Sequence, residues 1–236
     1  MRKRALAAAF PYTVPVLAGY VFLGMAFGVL MVGEGFDASW PILMSVVVFA
    51  GSMQFIAVDL LNSTFNLVGL ILLTISVNAR HLFYGISMIE KFGEMGRKKL
   101  YMMFALTDET YSILSGIDAP AEVNKNRFNF LIASLNHAYW VIGTAIGALV
   151  GAVIPFNTAG IEFAMTALFV VIFVEQWKGT KNHLPAIGGV VLSLASLLIF
   201  GADHLVIISM VAILAFLLLF RKRVEVGFDD DGTVSN

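Results

Sequence analysis

The sequence predicts an all-α, polytopic membrane helical bundle of 6–8 transmembrane helices, with one re-entrant or broken pair among them. Three observations predict it. Of 236 residues, 59% are hydrophobic and 13% charged, against roughly a quarter charged in a soluble domain. The mean hydropathy is +0.87, which leaves too little polar surface to coat a soluble body of this length. Apolar runs close to the length needed to cross hydrocarbon, about 20 residues, recur along the chain.

The N-terminus, Met1-Arg2-Lys3-Arg4 followed by Ala5-Leu6-Ala7-Ala8-Ala9, resembles the start of a signal peptide. Pro11 and Pro15 interrupt that run, and Val14 to Val32 is long enough to cross, so an uncleaved first helix with a cytoplasmic basic anchor is expected. The candidate spans are 12–32, 41–61, 65–90, 128–153, 160–177, 186–201 and 204–220. The stretch 100–117 is a weaker eighth candidate, because Asp108 and Glu109 interrupt it. Gly201-Ala202-Asp203 between the last two runs predicts a tight helical hairpin. A single membrane domain over 1–223 and a disordered cytoplasmic tail over 224–236 are expected.

Lys and Arg in short loops favour the cytoplasm. Arg2, Lys3 and Arg4 put the N-terminus inside, and Arg221, Lys222 and Arg223 do the same for the C-terminus. Lys178, Lys181, Lys125 and Arg127 are then inside too. Between Leu61 and Asn126 the assignment strains. If 65–90 and 100–117 both span, the loop holding Lys91, Arg97, Lys98 and Lys99 faces outside, giving eight crossings. If both are re-entrant or broken, six crossings remain and the charge rule holds.

Cysteine is absent, which removes thiol nucleophiles, thiolate metal sites and disulfides. The four histidines, His81, His137, His183 and His204, show no helical pairing that would hold a metal. No phosphate-binding loop, Gly-x-Ser-Gly site or Gly-x-Gly-Asp site occurs, so neither a cofactor nor enzymatic catalysis is expected. A net charge of −1 offers nucleic acid no general attraction.

Polar groups inside apolar runs are the informative residues, since an ionised one costs about 2.5–3.5 kcal/mol at mid-membrane on insertion scales. The densest cluster runs from Ser76 to Tyr84, with Asn78 and His81 on one helical face and Arg80 and Tyr84 on another. Arg80 stays protonated, so it needs a carboxylate, helix carbonyls or an anionic ligand; snorkelling to a membrane surface is the alternative. A second cluster is Thr107-Asp108-Glu109-Thr110-Tyr111-Ser112. Its adjacent acids point to different sides of a helix, and either can pair with Arg80 or carry a proton. A third surrounds Gln54 in Phe49-Ala50-Gly51-Ser52-Met53-Gln54-Phe55. Asn136 and Gln176 offer further uncharged donors and acceptors, while Trp140 and Trp177 read equally as interfacial anchors. Gly143, Gly147 and Gly151 form a stripe suited to helix packing. Gly24-x-x-x-Gly28 upstream of Gln54 and Gly143-x-x-x-Gly147 upstream of Gln176 hint at a parallel repeat.

Three blocks carry a resemblance: Phe49 to Phe55, Asn78-Ala79-Arg80-His81-Leu82-Phe83-Tyr84-Gly85, and Thr107-Asp108-Glu109-Thr110-Tyr111. With Asn136-His137 and Glu175-Gln176 they resemble the AzlC family of branched-chain amino acid permeases over nearly the whole chain. The resemblance implies export of branched-chain amino acids across the cytoplasmic membrane, with a small hydrophobic AzlD-type subunit completing the transporter. The expected substrate-binding residues are Gln54, Asn78, Arg80, His81, Asp108, Glu109, Asn136 and Gln176. A zwitterion needs a cation, an anion and apolar space, which Arg80, Asp108 or Glu109, and the surrounding side chains offer. A non-catalytic subunit or a passive channel is the alternative.

Overall fold

A computed structural model describes residues 2–62, 67–154, 182–201 and 205–221, with isolated positions between 163 and 178. Every described element is a helix. Contacts cluster into two units, residues 1–65 with 77–165, and 66–76 with 166–236.

The first unit is framed by α1 (Arg2–Gly33) and α8 (Lys125–Val153). Their glycines face one another and let the backbones touch. A Cβ on Gly24 would lie 2.8 Å from the Trp140 carbonyl oxygen, and one on Gly143 2.6 Å from that of Val21. At Gly28 and Gly147 a Cβ would collide with the backbone of Thr144 and Met25. Residue numbers rise together along this contact, so α1 and α8 run side by side in the same direction. The glycine stripe expected to serve packing does so. On the opposite face of α8, Ile142, Ile146, Leu149 and Val153 are exposed at helical spacing, the inverse of a soluble helix and suited to lipid contact.

The run 41–61, expected as one crossing, is two half-length helices, α2 (Ser39–Val47) and α3 (Gly51–Asn62). Before α2, the hydroxyl and amide of Ser39 hydrogen-bond Asp37 and hold its carboxyl below the usual range. At the far end of α3, Asn62 Nδ2 donates to Glu34 Oε2 at 2.9 Å, so α3 ends where α1 ends. The turn at 48–50 lies halfway down the frame. There the Phe49 ring sits 4.4 Å from that of His137 and 6.2 Å from that of Tyr20. The pair is therefore a hairpin that enters and returns. Its reversal rests on Phe49, which adopts φ +42°, a left-handed conformation that a bulky side chain adopts only under constraint. An apolar run reads the same whether or not its backbone turns round, so hydropathy alone missed the break.

The run 65–90 corresponds to one continuous helix, α4 (Leu67–Ser87), followed by the short α5 (Ile89–Gly93). The run 100–117 is broken into α6 (Lys98–Phe104) and α7 (Asp108–Gly116). These form a second hairpin, entering from the opposite end of the frame. Asn126 Nδ2 donates to the Glu94 carbonyl at 3.2 Å, tying the base of this hairpin to the start of α8. Going up, Lys98 lies over the Phe130 ring at 4.9 Å and Tyr101 Oη is 3.0 Å from His137 Nδ1. Coming down, α7 ends against Lys91, whose Nζ donates to the Leu114 carbonyl and, at 2.9 Å, to that of Ile117. The two tips meet at the same level, with the Phe49 and Phe104 rings 6.2 Å apart.

In the second unit, α9 (Leu184–Phe200) and α10 (Leu205–Leu219) pack antiparallel, as the expected hairpin requires. Gly201 ends α9 at φ +76°, and the Phe216 ring occupies the space a side chain at Gly188 would take. Most of the span expected over 160–177 and the tail expected over 224–236 lie outside the described residues.

Candidate functional site

The two hairpin tips bring the charged residues together. Arg80, midway along α4, places Nη1 2.8 Å from Asp108 Oδ2 and donates from Nη2 to Ser52 Oγ at 2.8 Å. Asp108 opens α7 and Ser52 lies in the first turn of α3. Both helices therefore begin at mid-depth beside the guanidinium, with their free N–H groups and positive dipole ends directed there. The pair is not sealed off: the Arg80 and Asp108 side chains are 29% and 20% exposed. Of the two acids that could have paired with Arg80, the structure selects Asp108.

Glu109 points elsewhere, as neighbouring acids on a helix must. Its Oε2 accepts a 2.5 Å hydrogen bond from the Tyr20 hydroxyl of α1. Tyr20 Oη also lies 2.6 Å from Thr107 Oγ1, which is 3.0 Å from Thr110 Oγ1. Asn136 Nδ2 of α8 donates to Thr110 Oγ1 at 3.0 Å. Thr107 is also the N-cap of α7, accepting the Thr110 backbone N–H at 3.3 Å. That cap, with two acids in the first turn, explains locally why a helix begins at Asp108.

His81 lies beside Arg80, its Nδ1 3.3 Å from the carbonyl of Asn78 one turn earlier on α4. It borders a cavity of about 340 Å³ between α4, α5 and α6, lined otherwise by Ile86, Phe92, Met103, Leu106 and the Lys99 stem among others. The Tyr84 and Tyr111 rings stack at 4.3 Å and join α4 to α7 below the ion pair.

Gln54 occupies a different position. It is wholly buried, its Nε2 donates to Ser45 Oγ at 3.3 Å and its Oε1 accepts from Trp140 Nε1 at 2.9 Å. Ser45 Oγ in turn donates to Thr144 Oγ1 at 2.8 Å. The amide thus ties α2, α3 and α8 together, and Trp140 is buried mid-frame rather than anchored at an interface. The structure therefore brings Arg80, Asp108, Glu109 and His81 to one region, holds Asn136 behind them, and uses Gln54 within the fold. Asn78 is half-buried on the same face of α4 as His81, and Gln176 lies outside the described residues. Tyr20 was passed over in the sequence. The available signal was a phenol at the centre of a run long enough to cross a membrane, where its hydroxyl needs a partner.

The AzlC protein family model matches residues 15–154, which covers both hairpins and their frame. The chain is 50% identical over 221 residues to the branched-chain amino acid transport protein AzlC of Bacillus subtilis, covering 94% of this chain and 87% of that one. It is 40% identical to an uncharacterized membrane protein of Helicobacter pylori over 94% of this chain and 97% of the relative. It is 26% identical to the inner membrane protein YgaZ of Escherichia coli over 80% of each. No solved structure matches the chain significantly.

Proposed function

Because the chain belongs to the AzlC family of membrane proteins, we propose that it forms the pathway of a secondary transporter that exports branched-chain amino acids across the cytoplasmic membrane. An ion gradient drives the cycle, and a small AzlD-type subunit completes the assembly. The observation that carries this reading is the Arg80–Asp108 pair at the meeting of the hairpin tips. A zwitterion exchanges that one ion pair for two complementary ones: its carboxylate on Arg80 and the first turn of α3, its ammonium on Asp108. Neither charge is left uncompensated before or after binding, which is the condition for keeping ions inside a membrane protein. The apolar side chain points towards the cavity beside His81, which excludes polar amino acids by offering them few partners.

The same reading carries a proposed membrane arrangement. Six crossings, by α1, α4, α8, the run 160–177, α9 and α10, combine with two re-entrant hairpins entering from opposite faces. Lys91, Arg97, Lys98 and Lys99 then join Arg4, Lys125, Arg127, Lys178, Lys181 and Arg221 on the cytoplasmic side, with both termini. Broken helices at mid-depth are tolerated where they line a cavity, and in other transporters they carry the substrate site. The name of the Bacillus subtilis relative supports the substrate class.

The test is counterflow of radiolabelled valine in proteoliposomes holding this chain alone or with its small subunit. Saturable counterflow is expected. Unsaturable flux makes the chain a channel, and flux that needs only the small subunit makes it accessory.

A further inference from the structure

Resting on that transport reading, we infer that Glu109 is the proton-binding group of the cycle, making H⁺ the coupling ion, with Tyr20 as its hydrogen-bond partner and Asp108 left as the partner of Arg80. Adjacent carboxylates in one turn of α7 have different neighbours. Asp108 faces a guanidinium at 2.8 Å. Glu109 faces a neutral phenol at 2.5 Å, and among the described residues no cation lies within ion-pair distance of it. The titratable and charged groups acting on it are Tyr20 from α1, Asp108 from its own helix and Arg80 from α4. From α8 the network receives the uncharged Asn136.

The chain of contacts from Asn136 through Thr110, Thr107 and Tyr20 to Glu109 can hold either protonation state. Hydroxyl hydrogens rotate, and each hydroxyl has one hydrogen to give. With Glu109 ionised, every donor points the same way. The Asn136 amide gives to Thr110, Thr110 to Thr107, Thr107 to Tyr20, and Tyr20 to the carboxylate. With Glu109 protonated, the order reverses: its O–H gives to Tyr20, Tyr20 to Thr107, and Thr107 to Thr110. The Thr110 hydroxyl can then meet Asn136 Oδ1, a buried acceptor with no partner among the described residues, once the amide turns over. Both states leave the hydroxyls satisfied, which a carboxylate meant to stay in one state does not need. In an export cycle, one proton from outside adds to Glu109 as substrate leaves outward, and the same proton is released to the cytoplasm on return.

The test measures valine counterflow and, during net valine flux, proton movement by a trapped pH-sensitive dye, in proteoliposomes with and without the small subunit. Wild-type protein is expected to move protons with valine and to accumulate valine under an imposed pH gradient. Glu109→Gln is expected to lose both while counterflow remains measurable. Accumulation by Glu109→Gln under the gradient overturns the inference. Net valine flux through the wild type without proton movement also overturns it and leaves the transport reading standing, whereas absent wild-type counterflow sinks that reading itself. If Glu109→Gln does not insert, Tyr20→Phe decides: the pH profile of counterflow moves upward as the ionised carboxylate loses its donor, and an unmoved profile overturns the assignment.

Discussion

The two hairpins share one frame and one depth, yet they are held by different chemistry. The α2–α3 hairpin is fixed mainly by neutral contacts, Gln54 between Ser45 and Trp140 and Phe49 against His137, with one charged donor, Arg80, on Ser52. The α6–α7 hairpin is fixed by charges: Asp108 on Arg80 at its tip, and Lys91 on the last carbonyls of α7 at its base. Neutral amide and ring contacts change little with ions or zwitterions, whereas ion pairs are re-partnered by both. On the transport reading, the second hairpin is the more responsive of the two, and the first contributes only its opening turn at Ser52.

The largest expected effect removes the comparison by removing the frame. Gly147→Leu drives a side chain into the backbone of Met25, and overpacking at backbone contact is expected to cost above about 3 kcal/mol. Loss of monodisperse protein on size exclusion checks it. Next come Arg80→Ala and Asp108→Asn, each expected to lower valine transport by at least ~100-fold, about 2.7 kcal/mol, with insertion retained. If both transport as wild type does, the second hairpin is not the responsive one and the substrate-site assignment falls. Phe49→Gly probes the first hairpin by opposing two terms. Relief of left-handed strain returns about 1–2 kcal/mol, while the lost ring costs about 3–5 kcal/mol. A net fall in thermal stability in detergent is expected, and a rise would mean that strain outweighs packing at that tip. Lys91→Ala is the smallest, about 0.5–1 kcal/mol from the lost interaction with the end of α7, read as a slight drop in the same melting temperature.

The frame was legible in the sequence and the hairpins were only half so. The runs 12–32 and 128–153 gave α1 and α8, and the glycine stripe gave their contact face, because length and small-residue spacing translate directly into crossing and packing. The break inside 41–61 left no mark, since a phenylalanine rather than glycine or proline turns the chain there. The break inside 100–117 did leave one: Thr107 followed by Asp108 and Glu109 is a helix-start signature, read as a polar cluster instead. That Arg80 needs a neutralising acid followed from its permanent charge. Which acid it takes depended on the azimuth of α7, and azimuth requires knowing where that helix begins. Tyr20 stayed invisible because an aromatic in an apolar run looks like lipid-facing bulk until something polar is found opposite its hydroxyl.

The parallel contact of α1 and α8 also has a bearing on how the protein is made. The glycines of α8 leave the ribosome roughly 120 residues after their partners on α1, on the order of ten seconds at about 5–20 residues per second. Throughout that interval α1 waits in the bilayer without the helix it was shaped to touch, and the segments made meanwhile have no wall to lean on. Each half-helix exposes unpaired backbone groups at its tip, which hydrocarbon will not accept. On the re-entrant arrangement proposed above, both hairpins would stay at the membrane surfaces until α8 arrives and then slide inward from opposite sides.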